Sequence, residues 1–575
     1  MMKKTAVKLI SIFAAAVLLA VTVTAAEVTL DGQVSTATEE IYPGVTATDY
    51  YLQSGYTYSG NGPQNLRVLE FDPRQEDLAF DVVMAGEVGS KKTVSHIVDD
   101  FNETNTENKT VVAAVNGDLW MMAQYHSRVE GSGTVCGGYS DAVVKAELCV
   151  PRGTNICDGE IISSQNMQQE TPYEEVAESF GITPDGEPLI GNLRVKLFLT
   201  DVTSGTKGFY ANGLNRLPAN NAVVIYSDKG PTSNYCLDDA YEVVIDCDYD
   251  YTLTQNSTVT GTVTAISNPG DERPSMQPNR LIVTARGESY ISKISSYAIG
   301  DEITLDVTLS DSYGNTEKWQ NVTEAVGGHC VVLRDGEDVN PGANRADPMT
   351  LIGFKPDGKV VIIVNDGRQS WYSMGINRTL FDELGKDLGI DTMFLLDGGG
   401  STTLVELAEN GYELKNRPSD NATESTIGDE RAVINAVLIS AISEKAPEYT
   451  VTWKNGDSVI YEEVLEEGSV AVYDADTYGI PEKAEDGNYT YEFAGWDTAP
   501  GTVTADVTYN AVFDATEKYV TGDLDGDSKI TAKDVNLLKK VITGAYEETL
   551  SADVNGDGKV TAADMNLLKR TVAGA

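Results

Sequence analysis

The sequence predicts a multidomain protein: a large α+β domain with a large mixed sheet, then a small β-rich domain, then a small all-α domain. Three observations lead to this prediction. The chain has 575 residues, which is too many for one hydrophobic core. Its composition changes at Ala446–Pro447, and its C-terminal part contains an internal repeat. We expect the following boundaries: an N-terminal extension over residues 27–64, the large domain over 65–443, the β-rich domain over 448–515 and the last domain over 518–575.

Residues 1–26 have the pattern of a secretory signal peptide. Lys3, Lys4 and Lys8 form a basic start, and the apolar run Leu9–Val23 that follows is too short to span a bilayer. The chain carries 88 acidic and 42 basic residues, for a net charge of −46. A strongly negative surface argues against nucleic acid or an anionic membrane as a partner. We therefore expect a secreted, extracellular protein without a membrane span.

All six cysteines lie between Cys136 and Cys330. After export, pairs such as Cys136–Cys149 or Cys236–Cys247 could form disulfides. Six cysteines allow many pairings, and the sequence does not choose among them. Buried free thiols are the alternative.

Short β-branched runs bounded by Gly, Asn or Asp predict strands throughout the large domain. Helices are predicted over Val94–Asn102 and Asn377–Leu388, the second with Gly389 in the C-cap position. The predicted strands are Val111–Val115, Ala222–Tyr226, Tyr241–Ile245, Leu281–Ala285, Cys330–Leu333, Val360–Val364, Met393–Leu396 and Val433–Ile439.

The β-rich domain is predicted from short alternating strands at Tyr449–Trp453, Tyr489–Phe493 and Val507–Phe513. With the Gly495-Trp496 pair, these segments resemble the internalin-type B repeat of bacterial surface proteins. The resemblance implies a spacer or protein-contact module. A carbohydrate-binding role is the alternative.

The internal repeat consists of two acidic loops, one starting at Asp523 and the other 30 residues later at Asp553. Alternating oxygen-bearing side chains followed by an acid at the twelfth position suit Ca²⁺, which takes about 6–8 oxygen ligands. Each loop leads into a helix with apolar positions on one face. The predicted ligands of two structural calcium ions are Asp523, Asp525, Asp527, Asp534 and the Lys529 carbonyl in the first loop, and Asp553, Asn555, Asp557, Asp564 and the Lys559 carbonyl in the second.

These loops depart from an EF-hand because no helix precedes Asp523, Ser528 takes the glycine position, and Asp replaces Glu at the twelfth position. In these features the repeat resembles the type I dockerin. The resemblance implies that the partner is a cohesin module of a scaffold protein. It also implies which residues face the cohesin: Ala532, Lys533, Lys539, Lys540, Ala562, Ala563, Lys569 and Arg570. Which of the two copies is used stays open.

The run Leu395–Leu404, LLDGGGSTTL, is the most informative stretch of the large domain. An apolar segment ends at Asp397, and three glycines and three hydroxyl residues follow. Glycines let a ligand approach backbone N–H groups closely, and hydroxyls can donate to phosphate or sugar oxygens. A purely structural turn is the alternative.

Other fragments accompany this run in a fixed order. They are VVAAVNGDLW at 111, GLNRLPANNAVVIYSDKGPT at 213, VGGH at 326, NRADPMTLIGFKPDGKVVIIVNDGRQ at 344, NRPSD at 416 and DERAVINA at 429. In this order they resemble the phosphodiester glycosidase family, most strongly over residues 326–440. The sequence departs from the family pattern at Asp118, where glycine is usual, and at Gly375-Ile376-Asn377. The resemblance implies a hydrolase of glycosyl-1-phosphodiester bonds.

The predicted chemistry follows from this substrate class, in which a negative phosphate lies beside a glycosidic bond. Guanidinium groups match phosphate oxygens, and the glycine amides and neighbouring hydroxyls would add donors. Glycoside cleavage normally uses two carboxyls. Asp397 is the first candidate, and Glu430 or Asp366 is the second. The predicted substrate-binding residues are Asn116, Arg345, Arg368, Gly398, Gly399, Gly400, Ser401, Thr402, Arg431 and Asn435.

Each assignment has a structural alternative. Asp366 could cap an Asp-Gly turn, and Arg431 could pair with Asp429 or Glu430 on the surface. Asn116 and Asn435 could fix backbone only, and His96, His126 and His329 are expected to be structural. No cofactor is expected for catalysis. The alternative functions are a non-catalytic glycan-binding or surface-interaction protein and a hydrolase of ordinary glycosides.

Overall fold

The computed structural model describes residues 29–56, 62–105, 108–122, 149–164, 178–205, 208–216, 221–231, 239–339, 346–443, 447–486 and 489–574. The predicted signal peptide over residues 1–26, Arg345, His126, Cys136 and Cys236 lie outside these ranges. The chain divides into two compact units, Met1–Ser443 and Glu444–Ala575.

Strands dominate the first unit. In chain order they are β1 (Gln33–Tyr42), β2 (Val45–Leu52), β3 (Gln64–Phe71), β4 (Leu78–Met84), β5 (Lys109–Asn116), β6 (Trp120–Met122), β7 (Cys149–Pro151), β8 (Asn155–Cys157), β9 (Glu160–Ser163), β10 (Glu178–Ile182), β11 (Pro188–Asp201), β12 (Phe209–Ala211), β13 (Gly213–Leu214), β14 (Ala222–Tyr226), β15 (Tyr241–Asp246), β16 (Thr258–Ser267), β17 (Arg280–Arg286), β18 (Glu302–Asp311), β19 (Glu324–Gly327), β20 (Cys330–Arg334), β21 (Glu337–Asp338), β22 (Ala346–Asp347), β23 (Met349–Phe354), β24 (Val360–Asn365), β25 (Ile376–Asn377), β26 (Thr392–Gly398), β27 (Leu404–Ala408), β28 (Gly411–Leu414) and β29 (Asn435–Ile442).

In the described part of the first unit, the helices are short. They are α1 (Val94–Thr104), α2 (Glu288–Ile294), α3 (Thr316–Trp319) and α4 (Phe381–Asp387), with 3₁₀ turns at Arg378–Leu380 and Gly399–Ser401. The predicted helix over residues 377–388 is therefore split, because a 3₁₀ turn precedes α4. With so few helices the unit is mostly β, and the predicted α+β class is wrong in that respect.

An eight-stranded sheet runs in the order β1-β2-β3-β24-β23-β26-β20-β21, and each neighbouring pair is antiparallel. A parallel pair, β13 with β14, occurs in a separate sheet of twelve strands, which is therefore mixed as predicted. Strand β26 is apolar at consecutive positions, as parallel strands are, although both of its pairings are antiparallel. Here Met393 and Leu395 pack towards α4, whereas Phe394 and Leu396 pack towards the five-stranded sheet. Both faces of β26 are therefore buried.

Two further sheets complete the core of the first unit. The five-stranded sheet has the order β28-β27-β5-β29-β4, with β4 pairing antiparallel to β29. A twelve-stranded sheet has the order β13-β14-β17-β15-β16-β18-β11-β10-β19-β8-β9, and β12 pairs with β11. Strands β22 with β25, and β6 with β7, form two-stranded ladders. The C-terminal ends of β5 and β26 lie together, because Asn116 and Asp397 are hydrogen-bonded.

Among the cysteines whose side chains are described, Cys157, Cys247 and Cys330 form no disulfide. The suggested Cys236–Cys247 disulfide is therefore not formed in this structure, and the alternative of a buried free thiol holds at Cys247.

The second unit begins with a four-stranded sheet in the order β31-β30-β33-β32, made of β30 (Glu448–Asn455), β31 (Ser458–Glu466), β32 (Tyr489–Trp496) and β33 (Val507–Glu517), and α5 (Ala475–Tyr478) lies between β31 and β32. Its core is aromatic, with the Trp453 ring centroid 4.5 Å from that of Tyr509 and 4.7 Å from that of Trp496.

Two helices, α6 (Ala532–Ile542) and α7 (Ala562–Ala573), end the second unit, with a 3₁₀ turn at Leu550–Ala552 between them. They pack through Leu538 and Leu568, which are fully buried. Across the described residues, no helix is long and apolar enough to cross a membrane.

Candidate active site

Asp397 lies at the end of β26, where the eight-stranded and five-stranded sheets meet. Its backbone N–H donates to the Gly117 carbonyl at 2.9 Å, and Asn116 Nδ2 donates to the Asp397 carbonyl at 3.0 Å. The strand end is therefore fixed to the loop that follows β5. Asp397 as a whole is half-buried.

The glycines after Asp397 make room for two guanidinium groups. Gly399 has φ +68°, and a Cβ there would lie 2.8 Å from Arg368 Nη2. A Cβ on Gly400 would lie 2.2 Å from Arg431 Nη2. Side chains at these positions would displace the arginines. The glycines therefore allow guanidinium groups from two separate loops to lie over one turn.

A carboxylate holds each of these arginines in place. Arg368 Nε donates to Asp347 Oδ1 at 3.0 Å. Arg431 donates from Nε and Nη2 to the two Asp420 oxygens at 2.8 and 2.9 Å. The expected alternative partners of Arg431, Asp429 and Glu430, do not take this role. Both guanidinium side chains stay more than one-third exposed, so they can meet a ligand.

A third arginine, Arg378, was not predicted from the sequence. Its Nη1 lies 3.0 Å from His329 Nε2, and the other ring nitrogen of His329 lies 3.1 Å from Cys330 Sγ. Because a guanidinium only donates, His329 Nε2 accepts and the imidazole is neutral. Burial and the charge of Arg378 lower the pKa of His329 to about 4. The sequence offered one indication that Arg378 could belong to the site: it directly follows Gly375-Ile376-Asn377, where the sequence departs from the family pattern.

The environment of Asp397 favours proton transfer near neutral pH. Burial raises the pKa of its carboxyl to about 6, and the Ser401 side chain, the Gly398 N–H group, Arg431 and Arg378 partly offset that effect. An acid of this strength can hold or release a proton under physiological conditions.

Two hydroxyl groups behind the turn are buried without a protein partner. Thr402 Oγ1 and Thr403 Oγ1 have no hydrogen-bond partner in the part of the chain that the structure describes. A buried polar group left unpaired costs about 1–3 kcal/mol, so such groups usually have a functional reason or an ordered solvent partner.

Asp366 is placed on a different segment of the site. Its oxygens accept the Arg417 N–H at 2.9 and 3.1 Å, and Asn416 Nδ2 donates to Oδ1 at 3.2 Å. Burial raises its pKa to about 7. Asn416 also donates to the Thr402 carbonyl at 3.0 Å, which connects Asp366 to the glycine turn. Asp366 therefore fixes the segment after β28, rather than capping its own Asp-Gly turn.

Glu430 lies at the start of α1. Its carboxylate accepts the Ser95 N–H at 3.2 Å and the Ser95 hydroxyl proton. A carboxylate is stabilised at a helix N-terminus by the unpaired N–H groups there. No hydrogen bond between described residues joins Glu430 or Asp366 to Asp397, so the identity of the second carboxyl stays a prediction.

Asn116 and Asn435 are fully buried and hold backbone. Asn116 Oδ1 accepts from Thr350 Oγ1 at 2.6 Å and from the Thr403 N–H at 3.1 Å. Asn435 Oδ1 accepts the Asp118 N–H at 2.8 Å. These contacts position the strand ends around Asp397.

The two acidic loops of the second unit have matching geometry. The ligand oxygens of Asp523, Asp525 and Asp527 lie within 4.8 Å of one another, which is compact enough for one cation. Asp534 Oδ2 accepts the Thr531 N–H at 2.8 Å, as Asp564 Oδ2 does from Thr561 in the second loop. An all-oxygen donor set of this kind fits Ca²⁺.

The sixth loop position distinguishes the two copies. Ser528 adopts φ +63° where Gly558 adopts φ +80°. Glycine takes this conformation without steric cost, whereas serine does not.

Comparison with known families and structures defines the class of protein. The phosphodiester glycosidase family model matches residues 256–440, and the dockerin type I model matches residues 521–573. The chain therefore carries a domain of the phosphodiester glycosidase family and a C-terminal type I dockerin, as the sequence predicted. No curated protein matches the chain.

Three similar solved structures cover about 70% of this chain. A hypothetical protein from Synechocystis is 16% identical, with a TM-score of 0.47 over 69% of this chain and 62% of that one, so this chain spans less than two thirds of its length. A Burkholderia pseudomallei protein described as exported is 15% identical, with a TM-score of 0.53 over 72% and 98%. The zebrafish N-acetylglucosamine-1-phosphodiester α-N-acetylglucosaminidase catalytic domain is 15% identical, with a TM-score of 0.33 over 71% and 88%. The Burkholderia protein shares the fold.

Proposed function

We propose that the protein is a secreted hydrolase that cleaves glycosyl-1-phosphodiester bonds, for example those of α-N-acetylglucosamine 1-phosphodiesters, while attached to a cohesin-bearing scaffold. The observation that carries this proposal is the arrangement around Asp397. Guanidinium groups of Arg368 and Arg431 lie over the glycine turn that follows it, and the charge of Arg378 also acts on its carboxyl.

The charge of these arginines is what favours a phosphodiester over a neutral glycoside. The chain as a whole carries a net charge of −46 and repels anions. Arginines grouped on one turn offset that charge locally, and their planar forks match phosphate oxygens. A neutral glycoside has no group that needs them.

The same arrangement supports a simple chemical course. The bond between the anomeric carbon and the phosphate oxygen breaks, the phosphate leaves with the electron pair, and the arginines offset the charge that develops on it. Water adds to the anomeric carbon and gives the free sugar. Asp397 acts either as the acid that protonates the departing oxygen or as the carboxylate that stabilises or attacks the anomeric carbon.

The dockerin supports the location of this activity. A dockerin implies a cohesin partner, and such modules occur in secreted components of cellulosomes. Two calcium ions held by the acidic loops would order the helices α6 and α7. The substrate would then be a sugar-phosphate polymer or a phosphodiester-linked glycan near the scaffold.

The test is product analysis with purified protein on matched substrate pairs. Each pair has the same sugar linked once through a phosphodiester and once to a simple alcohol. We expect free sugar from the phosphodiester and at least about 10²-fold less from the simple glycoside, because the arginine contacts are lost. Equal rates on both would favour a hydrolase of ordinary glycosides, and no release from any pair would favour a glycan-binding protein.

A further inference from the structure

A closed ring of hydrogen bonds surrounds the end of β26 and includes a second buried carboxylate, that of Asp118. The first part of the ring is backbone. The Asp397 N–H donates to the Gly117 carbonyl at 2.9 Å, and the Gly117 N–H donates to the Asn435 carbonyl at 3.1 Å. Asn435 Oδ1 accepts the Asp118 N–H at 2.8 Å. The residue that carries the second carboxylate is thus fixed directly beside the Asp397 backbone.

The Asp118 side chain extends the ring towards the twelve-stranded sheet. Its Oδ2 accepts the Gly153 N–H and Asn155 Nδ2, both at 2.9 Å. Asn155 Oδ1 in turn accepts the Gly327 N–H at 3.1 Å and Asn435 Nδ2 at 2.9 Å.

The ring closes through the segment after Gly327. The His329 N–H donates to the Leu395 carbonyl at 2.7 Å, two residues before Asp397. Three sheets therefore meet at this ring, through β26, through β5 with β29, and through β8 with β19.

Close packing makes the ring sensitive to the Asp118 side chain. A Cβ on Gly327 would lie 2.5 Å from Asp118 Oδ2, and a Cβ on Gly153 would lie 2.6 Å from the Gly327 Cα. The two glycines allow the carboxylate and both backbones to touch. A change in the Asp118 hydrogen bonds therefore acts on Gly327 and, through His329, on β26.

The carboxyl of Asp118 is poised between its two protonation states. It is 1% exposed, and its Oδ1 has no hydrogen-bond partner among the described residues. Burial raises its pKa to about 7, although the bonds from Asn155 and Gly153 and the charges of Arg152 and Arg216 favour the ionised form. Among the described residues, Arg152 and Arg216 are charged groups that act on it.

We propose that Asp118 is a positioning residue whose ionisation sets how tightly the hydrogen-bond ring holds Asp397 at the end of β26. Because burial makes the ionised carboxyl the less stable form inside the closed ring, the ring opens more easily when Asp118 loses its proton. The effect of this ionisation on catalysis rests on the proposed role of Asp397, whereas its effect on the hydrogen-bond ring does not.

The test is amide hydrogen exchange of the full chain, read by mass spectrometry from about pH 5.5 to pH 8.5 and corrected for intrinsic exchange. In the wild type, protection of the Gly327 and Asp397 amides falls on the order of fivefold as pH rises through neutrality. Asp118→Asn keeps both acceptor contacts without an ionisable group, so its protection stays flat with pH. Asp118→Gly loses the contacts and shows low protection throughout.

Asp366→Asn is the matched control, because the Asp366 carboxyl has a similar pKa but lies outside the ring. This variant keeps the wild-type dependence of protection on pH. The proposal is overturned if Asp118→Asn also keeps that dependence, or if it lowers protection equally at every pH, as a merely structural residue would. Because exchange is measured without substrate, its result can be interpreted even if the protein does not hydrolyse sugar phosphodiesters.

Discussion

The site around Asp397 and the acidic loops at the C-terminus both place carboxylates on glycine-containing turns. They differ in the charges that surround those carboxylates. Asp397 is half-buried and its pKa is raised, and cations from separate loops face it. In the first acidic loop three carboxylates lie within 4.8 Å of one another within five consecutive residues. The first arrangement suits an anion and a proton, and the second suits a divalent cation. The predictions below test this contrast, from the largest expected effect to the smallest.

Removal of the Asp397 charge should have the largest effect. Asp397→Asn keeps the size of the side chain but cannot transfer a proton or stabilise positive charge. We expect kcat on a sugar phosphodiester to fall about 10²- to 10⁴-fold. Asp357→Asn, which changes an exposed loop acid, is the control and should keep full activity. Full activity in Asp397→Asn would exclude Asp397 as the reacting carboxyl.

The opposite arrangement is tested by the double variant Asp523→Ala with Asp553→Ala. Without these oxygens neither loop should bind calcium, the helices α6 and α7 should lose order, and cohesin binding should fall at least about 10²-fold. Chelation of calcium in the wild type should have the same effect in a pull-down with a cohesin. Binding that survives chelation would contradict the calcium assignment, and hydrolysis by the first unit should be unchanged in either case.

Arg378 tests whether the cations at Asp397 act on the phosphate. Arg378→Ala should lower kcat/KM on a phosphodiester about 10²-fold, because one charge that stabilises the leaving group is lost. The exposed Arg74, which pairs with Asp72, gives the control variant Arg74→Ala with unchanged kinetics. Equal loss on a phosphodiester and on a simple glycoside would show that Arg378 acts on folding rather than on phosphate.

The buried acid Asp366 gives a pH-dependent effect with a defined sign. Its folded pKa of about 7 lies above its ordinary value of 3.8, so the folded state binds the proton more tightly than the unfolded state. This contribution to stability is present below about pH 4 and is lost as pH rises towards 7. Relative to Asp366→Asn, the wild-type free energy of unfolding should fall by a few kcal/mol over that range. Denaturant titrations at several pH values measure it, and parallel curves for the two proteins would contradict it.

The smallest effect is expected at Ser528, which holds a positive φ in the first acidic loop. Ser528→Gly should relieve a backbone cost of about 1 kcal/mol and strengthen calcium binding by the first loop several-fold. Gly558→Ser in the second loop is the reverse variant and should weaken that loop by a similar factor. Calorimetric calcium titrations of both variants decide this, and no change in either would remove backbone strain as a difference between the loops.

The same contrast explains how much the sequence revealed. The calcium ligands lie in twelve consecutive residues, so their spacing alone predicts a compact oxygen cluster. The site at Asp397 is assembled from distant segments. The run LLDGGGSTTL and the family order of its neighbours predicted Arg368 and Arg431 beside the glycines. Neither spacing nor motif indicated that Arg378 and His329 would be hydrogen-bonded to each other near Asp397, because a 49-residue separation carries no local pattern.

Some sequence predictions failed for identifiable physical reasons. The strands from Val111–Val115 to Met393–Leu396 were predicted close to their observed bounds because they are apolar and flanked by turn residues. How these strands pair was not predicted, because burial on both faces removes the alternation that usually marks antiparallel strands. Asp366 and Glu430 were both plausible acids, but only the fold shows that one holds Arg417 and the other caps α1.

The pairing of β4 with β29 has a consequence for how the first unit is made. Leu78–Met84 lies beside Asn435–Ile442, so the five-stranded sheet joins segments separated by most of the unit. During synthesis, β4 can pair with β29 only after about 360 further residues have been added. Contacts between residues so far apart in the sequence slow folding. The strands of the twelve-stranded sheet all lie between these two segments, so that sheet can form first. The candidate active site, which needs both ends of the unit, is completed last.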